Sequence, residues 1–248
     1  MNHTLPIVAT IAYWIQVRIK MTNTLIIKFA NKIAPHEVPL FRGAIIAAVG
    51  GDANVLFHNH EGNGFRFRYP MIQYKRIGGQ AAIVCVGEGT EQIGAFFSAN
   101  NFRLRIGDQR EEVFEIDAVM PRRTMIQVWD GCFEYWLRGW LPLNSDNYQK
   151  YMACADQESR TAMLERILVG NILSACKGLG ICVGREIECR ICDQEAPRTV
   201  YYKGLPMLSM DCRFKTNITL PDYIGLGKDA SMGHGVIFRM RNNAKYDE

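Results

Sequence analysis

The sequence predicts an α+β chain of two similar-sized halves, and three observations predict it. Short stretches alternate apolar and polar residues in both halves, as in Phe65-Arg-Phe-Arg-Tyr69. Each half also carries apolar residues at helical spacing. Near the C-terminus a glycine-rich run, Gly225-Leu-Gly-Lys-Asp-Ala-Ser-Met-Gly-His-Gly235, leads straight into an apolar strand, Val236-Ile-Phe-Arg-Met240.

The elements follow in order. Residues 1–20 hold an apolar run, Leu5 to Val17, too short and too mixed for a membrane span. It lacks the positive segment and cleavage site of a signal peptide. These residues read as an upstream extension from an early start codon, or as a strand or helix in their own right. Met21 opens a strand through Thr24-Leu-Ile-Ile-Lys-Phe29. Pro39 can start a helix whose apolar face is Leu40, Phe41, Ala44, Ile45 and Ala48, and Gly50-Gly51 stops it. A polar loop with His58-Asn-His60 precedes the strand Phe65–Tyr69. Met71–Lys75 and Ala81–Val86 pair around Gly78-Gly79. Thr90 can cap a short helix with Ile93, Phe96 and Phe97 inward, and Phe102–Ile106 and Val113–Val119 are strands. The order β-α-β-β-α-β is the ferredoxin-like, RRM-like arrangement.

Pro121-Arg-Arg123 is the expected junction, giving domains over residues 21–121 and 122–248. The second half opens with a β-rich stretch, Met125 to Leu143, then turns helical from about Ser145. Leu164, Ile167, Leu168, Ile172 and Ala175 form one stripe that ends at Gly178 and Gly180. Strands are expected at Glu186–Cys192, Thr199–Tyr202, Leu208–Phe214 and Val236–Met240. The fold class is therefore two tandem ferredoxin-like domains, the second ending in a Gly-rich loop.

The 248 residues carry a net charge of +4, which permits nucleic-acid binding without demanding it. Arginines recur as x-R-x-R, so that in a strand both face one way; most such pairs read as solvated faces. Of eight cysteines only Cys189 and Cys192 lie close in sequence, with no second pair at zinc spacing. They read as reduced, mostly core residues of a cytoplasmic protein, with no metal and no cofactor.

Glycines spaced as in Gly225–Gly235 let a loop take positive φ angles and bring bare backbone close to a phosphate. Two phosphate loops are excluded. The Walker pattern needs glycine where Asp222 stands, and Ser or Thr where Asp229 stands. The dinucleotide pattern needs a following helix and further βαβ, for which too little chain remains. An ordinary Gly-rich hairpin turn is the plain alternative.

Gly225-Leu226-Gly227, Lys228 and Gly233-His234-Gly235, placed at the end of a second domain, resemble the G-rich loop of CRISPR-associated endoribonucleases that cut repeat RNA. These belong to the RAMP superfamily. The one departure is His234, where that family usually has an apolar or aromatic residue. Pro39-Leu-Phe-Arg-Gly-Ala-Ile45, Leu56-Phe-His-Asn-His60 and Arg68-Tyr-Pro-Met-Ile-Gln-Tyr-Lys75 extend the resemblance, which covers residues 21–241.

The resemblance implies a metal-independent endoribonuclease acting on CRISPR repeat RNA. The ribose 2′-hydroxyl attacks phosphorus and leaves a 2′,3′-cyclic phosphate and a 5′-hydroxyl. That chemistry needs a base, an acid and cations at the phosphorane, and imidazole suits both proton roles. His58 and His60 stand where the family places its catalytic histidine and are assigned as base and acid, order open. Two solvent-facing loop histidines, or one arm of a metal site, are the other readings of the pair. His36 is the reserve catalyst. Tyr69 either orients the scissile phosphate or belongs to the core. Lys75 either neutralises the phosphorane or is an exposed lysine. Gly225, Gly227, Lys228, Gly233, His234 and Gly235 would bind RNA, with Trp129, Tyr135 and Trp136 available for stacking. Partners implied are repeat RNA, subunits of a CRISPR interference complex and a second copy of the chain, with no membrane. A non-catalytic RNA holder of the same fold is the alternative function. An enzyme for a small phosphate-bearing substrate is a third reading, disfavoured by the scattered arginines and the lack of an acidic catalytic cluster.

Overall fold

The computed structural model describes residues 21–50, 60–61, 64–65, 69–99, 102–107, 110–202 and 204–240. The expectation for residues 1–20, that for His58 and most of the strand expected over Phe65–Tyr69 lie outside them.

The first half runs β1 (Met21–Lys32), a 3-10 turn (Pro35–Glu37) and α1 (Val38–Val49). A minute hairpin follows, β2 (His60–Glu61) with β3 (Gly64–Phe65), and then β4 (Ile72–Ile77) and β5 (Gln80–Val86). Next come α2 (Gly89–Gln92), α3 (Gly94–Ala99), a second hairpin β6 (Arg103–Ile106) with β7 (Arg110–Val113), and β8 (Ile116–Met125). The second half runs β9 (Val128–Trp140), α4 (Ser145–Met152), α5 (Gln157–Gly178), β10 (Cys189–Gln194), β11 (Arg198–Tyr202), β12 (Leu205–Ile218) and β13 (Val236–Arg239).

Local chemistry sets the turns. Gly78 and Gly79 both have positive φ, 57° and 81°, as a two-residue hairpin between right-twisted strands requires. Gly50, at φ 85°, closes α1 in the left-handed region. Asp156 caps α5 by accepting from Ser159 N at 2.7 Å. Thr90 is not a cap: its hydroxyl donates to Gly87 O inside the turn, and Glu88 holds the N-cap position.

The first sheet has strand order β4-β5-β1-β8 and the second β10-β12-β9-β13, with every neighbouring pair antiparallel. The second sheet has a fifth strand, β11, which pairs with β12 off this path; with β11 set aside, the four strands of each sheet read, in sequence, second, third, first, fourth. The halves differ in the last crossover. Helices α2 and α3 join β5 towards β8, whereas a loop alone joins β12 to β13.

Every residue from Ala81 to Val86 is fully buried. Alternation explains it. Ala81, Ile83 and Cys85 join Ile27, Phe29, Phe41, Ile45 and Phe96 in a core under the helices of the first half. Ala82, Val84 and Val86 join Ile26, Met71 and Ile77, and with them Tyr135, Leu137, Trp140 and the α5 stripe, in a core shared by both halves. Each valine, leucine, isoleucine, methionine or phenylalanine among them contributes about 1.5–3 kcal/mol by leaving water, so the shared core locks the halves together.

Four further expectations need correction. Leu40 is 44% exposed; Val38 takes its place on the buried face of α1. The strand expected over Val113–Val119 is two strands, because Arg110–Val113 folds back on β6 while β8 pairs with β1. Pro121-Arg-Arg123 is interior to β8, where Pro121 faces Leu25, so it is no linker. Only Cys85, Cys176 and Cys212 of the eight cysteines are buried; all eight are free thiols. Among the described residues no helix is long and apolar enough to cross a membrane.

Candidate functional site

The Gly-rich segment is the β12–β13 connection, and it is held first by its own backbone. Leu226 N donates to Gly235 O at 2.8 Å and Met232 N to Asp229 O at 2.8 Å. Gly235 N reaches β9 by donating to Gly139 O at 3.1 Å.

The first half then clamps it. Tyr69 donates its hydroxyl to Gly225 O at 2.9 Å. Gly225 N donates to Gln73 Oε1 at 2.8 Å. Lys75 Nζ donates to Ala230 O at 2.6 Å. Tyr74 N donates to Ser231 O at 2.8 Å, so the loop forms a parallel bridge to β4 at Tyr74 and Met232. Gln73 and Lys75 share one strand face because they are two apart.

These contacts explain the glycines. A Cβ at Gly225 would stand 2.7 Å from both Ala230 O and Lys75 Nζ. One at Gly235 would stand 1.9 Å from Leu226 O, and one at Gly227 would stand 2.7 Å from Asn171 Oδ1. Gly227, Gly233 and Gly235 also have φ of 83°, 83° and 62°. The close approach expected towards a ligand is, at Gly225 and Gly235, an approach to the protein's own backbone.

Two residues expected at the chemistry prove to be clamps. Lys75 is fully buried, so it is not an exposed lysine. Burial lowers its ammonium pKa from 10.5 to about 7. Tyr69 is half-buried and packs against the shared core, and its hydroxyl is taken up by Gly225; burial pushes its pKa well above the usual tyrosine value. Gly178 meets it closely: a Cβ there would stand 2.2 Å from Tyr69 Cβ, which is why α5 ends on glycine. His234 is half-buried with Nδ1 3.2 Å from Gly139 O, to which a ring protonated at Nδ1 donates. Burial lowers its pKa, partly offset by that bond and by Asp229.

Lys228 is exposed, with Nζ 3.4 Å from Met207 Sδ. It lies at the meeting of two cavities, of about 280 and 580 Å³, that share Leu143, Asn144 and Lys228 in their walls. Tyr135 is buried, stacked on Phe214, and unavailable to RNA; Trp129 is 38% exposed and donates to Thr219 Oγ1.

Of the expected catalytic pair, His60 opens the β2–β3 hairpin opposite Phe65, and His58 lies outside the described residues. His36 is exposed in the turn before α1. The structure thus brings Tyr69, Lys75, Gly225 and His234 together around the loop. Sequence reasoning missed Gln73, Trp140 and Asn171. Gln73 and Lys75 did leave a signal, two polar residues on one face of a strand flanked by apolar neighbours.

Lys75 carries a pH signature. Between about pH 7 and 10.5 the unfolded chain holds the Lys75 proton and the folded one does not. Stability therefore rises with pH through that window, by up to about 1.4 kcal/mol per unit. Lys75→Met should lose this slope. Denaturant titrations of both proteins across the window check it, and parallel pH profiles would sink the assignment.

Residues 19–124 match the Cas6b N-terminal domain and residues 127–240 the Cas6b C-terminal domain. An uncharacterized protein of Methanocaldococcus jannaschii is 35% identical over 101 residues, 41% of this chain and 67% of that one. A crystal structure of Cas6b superposes with TM-score 0.81 at 24% identity, covering 89% of this chain and all of that one. The CRISPR RNA processing endoribonuclease Cas6b gives 0.69 at 21% identity with the same coverage. Csf5, a type IV Cas6 crRNA endonuclease, gives 0.52 at 14%, covering 90% of this chain and all of that one. At these identities the structures attest the fold.

Proposed function

We propose, for a chain that belongs to the Cas6b family of CRISPR repeat-RNA-processing endoribonucleases, that it cuts its repeat RNA without metal and by histidine acid–base chemistry. The ribose 2′-oxygen attacks the adjacent phosphorus as its proton passes to one imidazole. The P–O5′ bond breaks and the leaving 5′-oxygen takes a proton from the other. The products are a 2′,3′-cyclic phosphate and a 5′-hydroxyl. His58 and His60 fill these roles, since imidazole can both take up and give a proton.

The observation that carries the reading is the Gly225–Gly235 loop, pinned across the two halves with Lys228 exposed beside it. Backbone held this firmly needs no reorganisation on meeting a phosphodiester. Each half is read as ferredoxin-like, supported by the shared strand order. The loop replaces the second helix in the C-terminal half, and the junction falls near Ile126 and Gln127, between β8 and β9. Eight free cysteines suit a reducing, cytoplasmic setting.

The test is incubation with the cognate repeat RNA in EDTA, with the product ends analysed. Cleavage to cyclic-phosphate and 5′-hydroxyl ends is expected. Tight binding without cleavage would instead make the protein an RNA holder, and absence of binding would remove both readings.

A further inference from the structure

A cleft of about 1270 Å³ between α5 and β10 mixes Lys150, Arg166, Arg190 and Lys215 with Glu165, Glu186 and Glu188. Four cations face three carboxylates there, so an anion would meet charge of both signs. The two smaller cavities at Lys228 differ: no carboxylate lines either of them.

Their polar groups are also biased towards donation. Asn171 Oδ1 accepts from Trp140 Nε1 at 2.9 Å, so the end of its amide left for a ligand is the amino group. Asn144 Oδ1 accepts from Asn147 N at 2.8 Å as the cap of α4, which leaves its amino group as well. Ser174 adds a hydroxyl and Lys228 an ammonium to the same 280 Å³ cavity. Two amide donors and a cation converge where an acceptor-only, anionic group fits.

The adjoining 580 Å³ cavity is wide enough for a small ligand and is apolar on one wall. Tyr148, 45% exposed, and Leu205, 67% exposed, border it. An exposed aromatic beside a phosphate-sized donor site is the pattern that takes an unpaired nucleotide, base on the ring and phosphate on the donors.

We infer that Asn144, Asn171 and Lys228 bind one backbone phosphate of an unpaired stretch of the RNA, while Tyr148 stacks its base. The inference rests on the RNA reading above and extends it, assigning a single-stranded path between α4, α5 and the Gly-rich loop. Pairing into a duplex would withdraw the base face from Tyr148, so a stem is the wrong occupant.

Asn171→Asp and Asn144→Asp test it with almost no change of shape. Aspartate at 171 still accepts from Trp140, and aspartate is as good an N-cap as asparagine at 144. Each replaces a donor by a negative charge. Binding of short oligouridylate and of the cognate repeat RNA is measured, with thermal midpoints as the folding control. Each variant is expected to weaken binding of both RNAs about tenfold or more, and Tyr148→Ala about tenfold. Ala162→Asp in the larger cleft should change neither. Binding of both RNAs retained in the Asp variants would overturn the path while leaving the repeat-RNA reading intact. If the wild-type chain binds neither RNA, both fall together. Weakening by Ala162→Asp equal to that of the groove variants would reduce the effect to general charge and also overturn it.

Discussion

Alanine at His58 or His60 is expected to slow repeat-RNA cleavage by about 10²–10⁴-fold, the usual worth of a positioned acid or base. RNA affinity should change little, because the proposed phosphate contacts belong to other elements. The reasoning is chemical. A 2′-hydroxyl is a poor nucleophile until its proton leaves, and a 5′-alkoxide is a poor leaving group until one arrives. Two imidazoles acting on the same phosphate work as a unit, so the double variant should be little slower than the worse single one. The wild-type rate should follow a bell-shaped pH profile, and each single variant should lose one limb. His36→Ala, in the exposed turn before α1, should leave the rate unchanged. Single-turnover cleavage separates these outcomes from binding. Undiminished cleavage in both single variants would move the chemistry away from this His-x-His segment.

Gly235→Ala should cost more stability than any other single methyl group added to the loop. The new Cβ would stand 1.9 Å from Leu226 O and 2.9 Å from Leu226 C, both backbone atoms that cannot swing aside. Gly235 also sits at φ 62°, where a Cβ adds about 1–2 kcal/mol of its own. Relief would require breaking the Leu226–Gly235 and Gly235–Gly139 hydrogen bonds that fix the loop. A loss above about 3 kcal/mol is expected in denaturant unfolding, together with weakened RNA binding. Gly170→Ala is the contrast: in α5 an added Cβ meets nothing within 4 Å. It should stabilise by about 0.5–1 kcal/mol through helix propensity alone. Equal effects of the two substitutions would show that the loop is not held as the geometry describes.

Strand β1 and helix α1 were legible because each carries its own period: 3.6 residues along Phe41, Ala44 and Ile45, two along β1. The α5 stripe was legible for the same reason, and its glycine end marked a real close approach to Tyr69. The β6–β7 hairpin was not, because Val113 reads as the start of the next strand until its partner Arg103 is known. Register between strands is a property of pairs, and a single strand does not contain it.

The candidate site divides the same way. The glycine spacing, the exposed lysine at its centre and the His-x-His segment are local patterns, and the sequence by itself was enough to single them out. What each residue touches was decided only by the tertiary structure. Lys75 reads as a surface cation, yet its partner is a carbonyl 155 residues away and its ammonium is sealed from water. Tyr69 reads as a catalytic candidate, yet its hydroxyl closes on Gly225, 156 residues away. Asn171 and Asn144 carry no motif at all, and their donor ends are set by Trp140 and by a helix cap. Backbone preference and apolar period act between near neighbours in the chain. Burial of a charge, orientation of an amide and closure of a cavity depend on atoms that only folding brings together.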